Sequence, residues 1–220
     1  MKFNGYTKSA FSFLRRLEKN NNRDWFHAHK DEYKEVLRDP TEAFVLALRA
    51  QLGKKMPEFM FEPKKSIFRL HRDTRFSDNK KPYKNNIAFF IRPKLFQKGV
   101  DSPGFYFHLE PKDIFIGGGQ YIPSSQDLLK IRERIDKDPK SLKKILSSKT
   151  FKSMYGEMPG EKLKRAPKGF SPDHPDIDLL RLKQWHNTKR LDKEIIFTED
   201  LVDVTAEAYI KISPLVYWIM

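Results

Sequence analysis

No cysteine occurs among the 220 residues of this chain, which excludes disulfide bonds, thiolate nucleophiles and cysteine metal ligands. No apolar run approaches the roughly 18 residues that a membrane-spanning helix needs. The first six residues also lack the apolar stretch of a secretory signal peptide. We therefore expect a cytoplasmic protein that does not enter a membrane.

Familiar catalytic and cofactor motifs are absent as well. The chain contains no phosphate-binding P-loop, no dinucleotide fingerprint, no Gly-x-Ser-x-Gly and no His-Glu-x-x-His. A His-Arg-Asp triplet at 71–73 copies the start of the protein-kinase catalytic loop, but Asp78 stands where that loop requires asparagine. The sequence therefore names no catalytic residue and predicts no metal site and no cofactor. It leaves open whether the protein is an enzyme.

What the chain does contain indicates a folded protein. Aromatic residues make up 13% and hydrophobic residues 39% of the sequence, whereas disordered chains are poor in aromatics. A chain of this length can bury a substantial core. No repeat and no convincing linker interrupts it, so we expect one domain over residues 1–220.

Hydrophobic periodicity divides the chain into helical and extended parts. Ala10, Phe13, Leu14 and Leu17 lie at i, i+3, i+4 and i+7, which predicts a helix from about Thr7. Further helices are predicted over 25–37, from Pro40 to Gly53, after Ser124, over 139–146, over 178–185 and after Thr198, with Pro214 ending or kinking the last. Segments rich in Ile, Phe and Tyr predict strands at 66–73, 86–93, 104–111 and 113–117.

The third predicted strand shows the clearest alternation. Phe105, Phe107 and Leu109 alternate with polar residues, so one face of the sheet should be core and the other polar. At most two residues separate this strand from the next, which favours an antiparallel hairpin. The predicted fold class is α+β, with a mainly antiparallel β-sheet flanked by N-terminal and C-terminal helices.

Positive charge is concentrated in two segments. The formal net charge is +14. Residues Lys64 to Lys84 carry a net charge of +6, and residues Lys140 to Lys168 carry +7. Such densities repel themselves unless water, carboxylates or an anionic partner compensates them. A solvated, lysine-rich surface is the alternative interpretation for the second segment.

The first basic segment predicts an anion-binding site. Arginine offers a planar fork suited to phosphate or carboxylate, and neighbouring hydroxyls add donors. The candidate residues are Arg69, Arg72, Arg75, Lys81, Tyr83 and Lys84. On a regular strand Arg69 and Arg72 would point to opposite faces, so not all of these cations can meet one ligand. The alternative is that Asp73 and backbone carbonyls hold them as structural ties.

Two other groups of residues are candidate functional features. His71 and His108, with Glu110, form the one plausible acid–base group if their strands are neighbours, although structural roles are commoner for histidine. The glycines at 117–119, before a serine-capped helix, can expose N–H groups to an anion. They can also let strands pack closely, which we favour.

Five stretches of the sequence carry a family resemblance. They are Asn20–Phe26, Arg69–Lys84, Gly104–Tyr106, Gly117–Gly119 and Arg165–Phe170. In this order they resemble the conserved hypothetical proteins grouped as domain of unknown function 2461, over nearly the whole chain. The most specific part is Arg-Asp-Thr-Arg-Phe-Ser at 72–77, followed by Lys-Pro-Tyr-Lys at 81–84. The resemblance implies a single domain and carries no established activity.

Three functions are compatible with these patterns. The first is a basic pocket for a small phosphorylated or carboxylated ligand, with or without catalysis. The second is nucleic-acid binding by both basic segments, with Tyr83, Phe105, Tyr106 or Tyr121 available for stacking. The third is a protein-interaction module whose basic face meets an acidic partner. We rank the first ahead, because arginines that alternate with apolar residues suit a bounded site. The sequence indicates no oligomeric state.

Overall fold

The structure is a computed structural model that describes residues 2–59, 61–75, 78–93 and 102–220. Its α-helices are α1 (Lys8–Lys19), α2 (Arg23–Ala28), α3 (Lys30–Tyr33), α4 (Asp39–Leu52), α5 (Pro63–Ser66), α6 (Ser125–Lys137), α7 (Pro139–Ser147), α8 (Lys149–Tyr155), α9 (Ile177–Leu180) and α10 (Leu201–Ile219). A π-helical turn covers Lys34–Arg38, and 3₁₀ helices cover Pro57–Phe59 and Lys193–Phe197. The strands are β1 (Ile87–Ile91), β2 (Gly104–Leu109), β3 (Ile114–Gln120) and β4 (Trp185–Arg190).

The four strands form one antiparallel sheet in the order β1-β2-β3-β4. Strands β2 and β3 form the predicted hairpin, in which the Glu110 N–H donates to the Asp113 carbonyl at 3.1 Å. Helices lie before the sheet strands in the chain and after them. The prediction of an α+β fold with a mainly antiparallel sheet is therefore confirmed.

Contacts within the chain group its residues into two units. Unit 1 contains Met1–Lys94, Tyr106–Ile116 and Arg190–Glu207, and unit 2 contains Leu95–Phe105, Gly117–Lys189 and Ala208–Met220. Strands β2, β3 and β4 and helix α10 contribute residues to both units. The two units are described separately below.

The core of unit 1 is built from aromatic rings. Phe107 of β2 stacks on Phe89 of β1 with ring centroids 5.0 Å apart, and Phe44 of α4 meets it edge-on at 5.1 Å. Helix α1 buries the predicted apolar stripe completely, at Ala10, Phe13, Leu14 and Leu17. Each of the three larger side chains, those of Phe13, Leu14 and Leu17, contributes about 1.5–3 kcal/mol when it leaves water. The inward face of β2 is thus core, as its alternation predicts.

The core of unit 2 contains the C-terminal segment of the chain. Phe105 stacks on Tyr209 at 4.9 Å, and Trp185 lies 6.3 Å from Trp218 between ring centroids. Helix α10 does not end at Pro214 but continues to Ile219. Helix α6 begins after Ser124 as predicted, with a capping box in which Ser124 and Asp127 bond each other's backbone N–H groups.

The segment before β4 departs from the predicted secondary structure. The helix expected over 178–185 is only the single turn α9, and strand β4 begins at Trp185. The sequence of β4 has one aromatic residue and no apolar period, so pattern alone does not reveal it. Its inward Asn187 is satisfied instead by donating to the carbonyls of Tyr155 and Glu157 at 3.0 and 2.9 Å. These hydrogen bonds hold the strand in place, and they leave no periodic pattern in the sequence.

Another departure lies at Pro40, where a break between two helices was predicted. Helices α3 and α4 are instead joined by the π-helical turn, in which the Asp39 N–H donates to the Lys34 carbonyl. Proline lacks an N–H and crowds the carbonyl four residues earlier. A wider π-helical turn just before Pro40 accommodates both effects without ending the helix.

Candidate anion-binding site

The signature segment of unit 1 pairs with the chain that follows it. Three backbone hydrogen bonds of 2.8–2.9 Å join them, from Arg72 to Pro82, from Lys84 to Leu70 and from Phe68 to Ala88. The bridges at Ile67–Phe89 and His71–Tyr83 are isolated, so the continuous strand predicted over 66–73 does not form. Two more residues separate Tyr83 from Phe89 than separate Ile67 from His71, which breaks the register. Phe76 and Ser77 of the signature lie outside the described residues.

Tyr83 anchors this segment in the core. Its side chain is only 1% exposed, and its ring lies 4.4 Å from that of Phe26 and 4.9 Å from that of His71. The Asn21 side chain bonds the Tyr83 backbone twice, donating to its carbonyl at 3.0 Å and accepting from its N–H at 2.9 Å. Tyr83 is therefore a packing residue, and its phenol is not presented to a surface ligand.

Lys84 follows Tyr83 and is half-buried. Its ammonium group lies 5.4 Å from the centroid of the Phe68 ring. Burial lowers the pKa of Lys84, and the positive charges of Arg69 and Arg72 lower it further. Within the described part of the chain, Lys84 has no carboxylate partner. This ammonium is thus held partly out of water beside two like charges.

Arg72 adds a second unsatisfied cation. Its Nε atom is buried and has no hydrogen-bond partner among the described residues. Arg69 is exposed, and its charge reaches both Lys84 and Asp73, whose pKa it helps to lower. Arg69 and Arg72 therefore both act on Lys84, although a regular strand would have separated them.

Arg75 is arranged differently, because Asp73 binds it. The guanidinium donates to the two carboxylate oxygens, with Nε 3.0 Å from Oδ1 and Nη2 2.7 Å from Oδ2. The Arg75 N–H also donates to Oδ1 at 3.2 Å. These bonds hold the pKa of Asp73 well below its usual range. For Arg75 the interpretation as a structural tie is the one the geometry favours.

Lys81 points toward helix α1. Its ammonium group donates to the Glu18 carbonyl at 3.4 Å, near the C-terminal end of that helix. Its backbone N–H donates to Asn79 Oδ1 at 3.1 Å. Of the six candidate residues, the structure therefore relates Arg69, Arg72 and Lys84 to one another. It gives Arg75, Lys81 and Tyr83 other partners.

A chain of polar side chains lies along the outward face of β2. The Tyr106 hydroxyl is 3.0 Å from His108 Nδ1, and His108 Nε2 is 3.3 Å from Glu110 Oε2. Asn85 donates to Glu110 Oε1 at 3.2 Å, and the Phe115 ring stacks on His108 at 4.7 Å. A carboxylate accepts only, so His108 carries its proton on Nε2 and Nδ1 accepts from Tyr106.

The same chain is electrostatically linked to Lys84. Burial lowers the pKa of His108, the hydrogen bond and charge of Glu110 and the charge of Asp113 oppose this, and the charge of Lys84 adds to the lowering. Burial, with a smaller contribution from Glu110, raises the pKa of Tyr106 to about 12. Tyr106 is thus a protonated donor near neutral pH.

The predicted acid–base group is present in altered form. His108 and Glu110 do interact, but Nδ1 of His108 is taken by Tyr106. His71 packs instead against the rings of Phe26 and Tyr83. The antiparallel register sets His71 beside Tyr83, which the sequence pattern did not reveal.

The glycines at 117–119 serve close packing in unit 2. A Cβ atom on Gly117 would lie 2.5 Å from the Asn187 carbonyl oxygen, and one on Gly118 would lie 2.7 Å from a methyl of Ile212. Gly119 has φ of +122° and meets the backbone of Trp185. This geometry favours the packing interpretation over an anion-binding loop.

The second basic segment, in unit 2, has carboxylate partners. Lys143 forms an ion pair with Asp176, whose side chain is 6% exposed. Lys162 lies 3.4 Å from Asp178. Nε2 of His174 lies 3.0 Å from Oδ1 of Asp136. Several groups of this region are therefore structural ties.

Two clefts lie elsewhere in the described part of the chain. A cleft of about 470 Å³ lies between α1 and the 3₁₀ helix Lys193–Phe197, and one of about 350 Å³ lies in unit 2. Neither includes a residue of the Arg69–Lys84 segment, so a common cavity there stays a prediction. No group of three or more potential metal ligands occurs in the described ranges. No helix in those ranges is long and apolar enough to cross a membrane.

Comparison with known families agrees with the motif order. Residues 9–218 match the family described as conserved hypothetical protein (DUF2461). The chain belongs to this family. Neither the curated proteins nor the solved structures gave a match. The DUF2461 signature at 69–84 is therefore interpreted from its geometry alone.

Sequence reasoning missed two functional features of this DUF2461 chain. Tyr106 was expected on the polar face of β2, but its hydrogen bond to His108 was not predicted. The spacing of Tyr106 and His108 could have predicted their contact, since residues two apart on a strand share a face. The second feature is a basic face of α1, whose cations are dispersed by helical spacing and form no dense run.

Proposed function

We propose that the protein binds a small phosphorylated or carboxylated ligand through Arg69, Arg72 and Lys84. The observation that carries this proposal is the state of Lys84, half-buried and beside two like charges. Burying a charge is costly unless the charge is paired. An anion between these groups would remove both the unpaired burial and the repulsion.

Arg72 supports the same proposal. Its buried Nε is a donor without an acceptor in the described ranges. Unsatisfied buried donors are uncommon in folded proteins and each costs about 1–3 kcal/mol. A phosphate or carboxylate oxygen is the acceptor that a guanidinium binds best. Arg75, Lys81 and Tyr83 are left out of the proposed contacts because each has another partner.

The proposed ligand would border the Tyr106–His108–Glu110 chain. Lys84 is near enough to His108 for their charges to interact. Histidine is the side chain that most often transfers protons in acid–base catalysis. An acid–base reaction on the bound ligand is therefore the first activity to test.

The nucleic-acid alternative receives less support. Two of the four residues suggested for base stacking, Tyr83 and Phe105, are 1% and 0% exposed. Tyr121 is 56% exposed and Tyr106 is half-buried. Binding that neutralises many phosphates would weaken steeply with salt, with a slope of roughly −0.9 per phosphate contacted. A shallow salt slope for oligonucleotides would support ranking the small ligand first.

Titration calorimetry with inorganic phosphate and with sulfate tests the proposal. The parent is compared with Arg72→Met, Lys84→Met and the matched control Lys140→Met, whose lysine is exposed in the second basic segment. We expect each of the first two substitutions to weaken phosphate binding about tenfold, the value of one charge-assisted hydrogen bond. Lys140→Met should leave binding unchanged. The proposal is wrong if the parent shows no saturable binding, or if all three variants bind equally well while remaining folded.

A further inference from the structure

A second cationic concavity lies in unit 1, apart from the residues proposed above. It is the cleft of about 470 Å³ between α1 and the 3₁₀ helix Lys193–Phe197. Five cations line it, four from α1 together with Lys193, and the one acidic lining residue is Glu194. The lining groups therefore carry a net charge of +4.

Helical spacing creates this face. Lys8, Arg15 and Lys19 lie at i, i+7 and i+11 of α1, with Ser12 between them at i+4. Residues at these intervals share one side of a helix. The apolar stripe that begins at Ala10 occupies the other side and is buried. Like charges at i and i+4, such as Arg15 and Lys19, destabilise a helix slightly.

Four of the five cations of the cleft lack an ion-pair partner among the described residues. Lys8, Arg15, Lys19 and Lys193 form no ion pair with any described residue. Arg16 does pair with Glu32, yet its Nε atom is buried and unpartnered within the described ranges. An ordinary solvated helix face would intersperse carboxylates among such charges.

One wall of the cleft is aromatic. The rings of Phe11 and Phe197 lie 5.6 Å apart, and the Lys193 ammonium is 5.4 Å from the Phe11 centroid. Phe11 is buried, whereas Phe197 keeps part of its surface exposed. A planar, apolar group can therefore rest on Phe197 while the cations hold charge beside it.

We propose that this cleft binds a nucleoside polyphosphate. Its planar base would pack against Phe197, and its phosphates would be held by Arg15, Lys19 and Lys193. Triphosphates carry about four negative charges near neutral pH, which matches the +4 of the lining groups. The volume falls within the roughly 300–1,000 Å³ usual for small-ligand sites. This inference does not depend on the anion site at Arg69, Arg72 and Lys84.

Calorimetric titration of the full chain with ATP and with tripolyphosphate tests the proposal. The double variant Arg15→Gln/Lys19→Gln is compared with Lys140→Gln/Lys144→Gln, which removes the same charge from exposed positions in unit 2. We expect the first pair to weaken ATP binding by at least about tenfold and the second to change it less than about twofold. Equal losses in both pairs would mean non-specific attraction and would overturn the proposal.

Two further variants separate the parts of the ligand and the two sites. Phe197→Leu should weaken ATP binding about threefold to tenfold without affecting tripolyphosphate, since only the base meets that ring. Arg72→Met/Lys84→Met should retain one ATP site that still depends on Arg15. Failure of ATP to bind this variant, or tripolyphosphate binding as tight as ATP, would contradict the assignment. Binding restricted to oligonucleotides, lost steeply with salt, would also contradict it.

Discussion

From Lys64 to Lys84 the chain carries a net charge of +6, and from Lys140 to Lys168 a net charge of +7. In the first segment Lys84 lies half-buried beside Arg69 and Arg72, with no carboxylate partner in the described residues. In the second, Lys143 forms an ion pair with the buried Asp176. Both segments are partly neutralised, since Arg75 of the first is also held by Asp73, but Lys84 lacks a carboxylate partner in the described residues and Lys143 has one.

This difference shows what an anion site requires beyond charge. An exposed lysine is satisfied by water, and a paired lysine by its carboxylate, so neither gains much from an added anion. A lysine held partly out of water among like charges gains from an added anion in two ways. The anion pairs with the buried charge, and it offsets the repulsion between the cations. The comparison therefore supports the proposal of an anion site in the first segment and a structural role for Lys143 in the second.

The largest expected effect on stability concerns Lys143. Replacing it in Lys143→Met would leave the Asp176 carboxylate buried without its partner. We expect the free energy of unfolding to fall by about 1–3 kcal/mol. Urea denaturation of this variant and of the exposed control Lys144→Met measures the effect. Equal stability of the two variants would show that the Lys143 pair is not a structural tie.

Removing the charge of Lys84 should stabilise the folded protein instead of destabilising it. Methionine has a similar shape but no charge, so Lys84→Met removes both the burial cost and the repulsion from Arg69 and Arg72. We expect the free energy of unfolding to rise by about 0.5–1 kcal/mol, as is common when a functional charge is removed. The same urea experiment applies. A loss of stability comparable to that of Lys143→Met would mean that Lys84 has a stabilising partner, and it would erase the contrast between the segments.

Protonation of His108 should make the stability of the folded protein depend on pH. Its pKa is lowered in the folded protein, so below about pH 6.5 the unfolded chain binds this proton more readily than the folded chain. Stability should therefore fall as the pH drops below that value, by at most about 1.4 kcal/mol per pH unit. His108→Gln should remove this part of the profile, whereas the exposed control His27→Gln should not. If the parent, His108→Gln and His27→Gln show parallel profiles of stability against pH, His108 does not cause the pH dependence.

Arg75 should show the smallest effect on binding. Its guanidinium is held by Asp73 through two hydrogen bonds, so it has little left to offer an anion. We expect Arg75→Gln to weaken phosphate binding by less than about threefold. A loss as large as that of Arg72→Met would place Arg75 in the site and would redefine its boundary.

Local sequence patterns predicted the parts of this fold that depend on local interactions. The stripe on α1, the Ser124 cap and the hairpin β2–β3 each follow from spacing or turn length. Strand β4 did not, because Asn187 is held by hydrogen bonds to distant carbonyls. The register break after Tyr83 also escaped prediction, as did the electrostatic effect of both Arg69 and Arg72 on one lysine. Which cations had partners depended on tertiary contacts that no spacing encodes.

The most direct test is the titration of the Lys84 ammonium itself, by NMR of the isotopically dimethylated protein with Lys84→Met for assignment. Burial and the neighbouring arginines predict that Lys84 titrates below the ordinary lysine value of about 10.4. Added phosphate should raise the pKa of Lys84, because an anion at the site favours the charged form. A Lys84 pKa that is not lowered from the ordinary lysine value and does not respond to phosphate would contradict the proposed site.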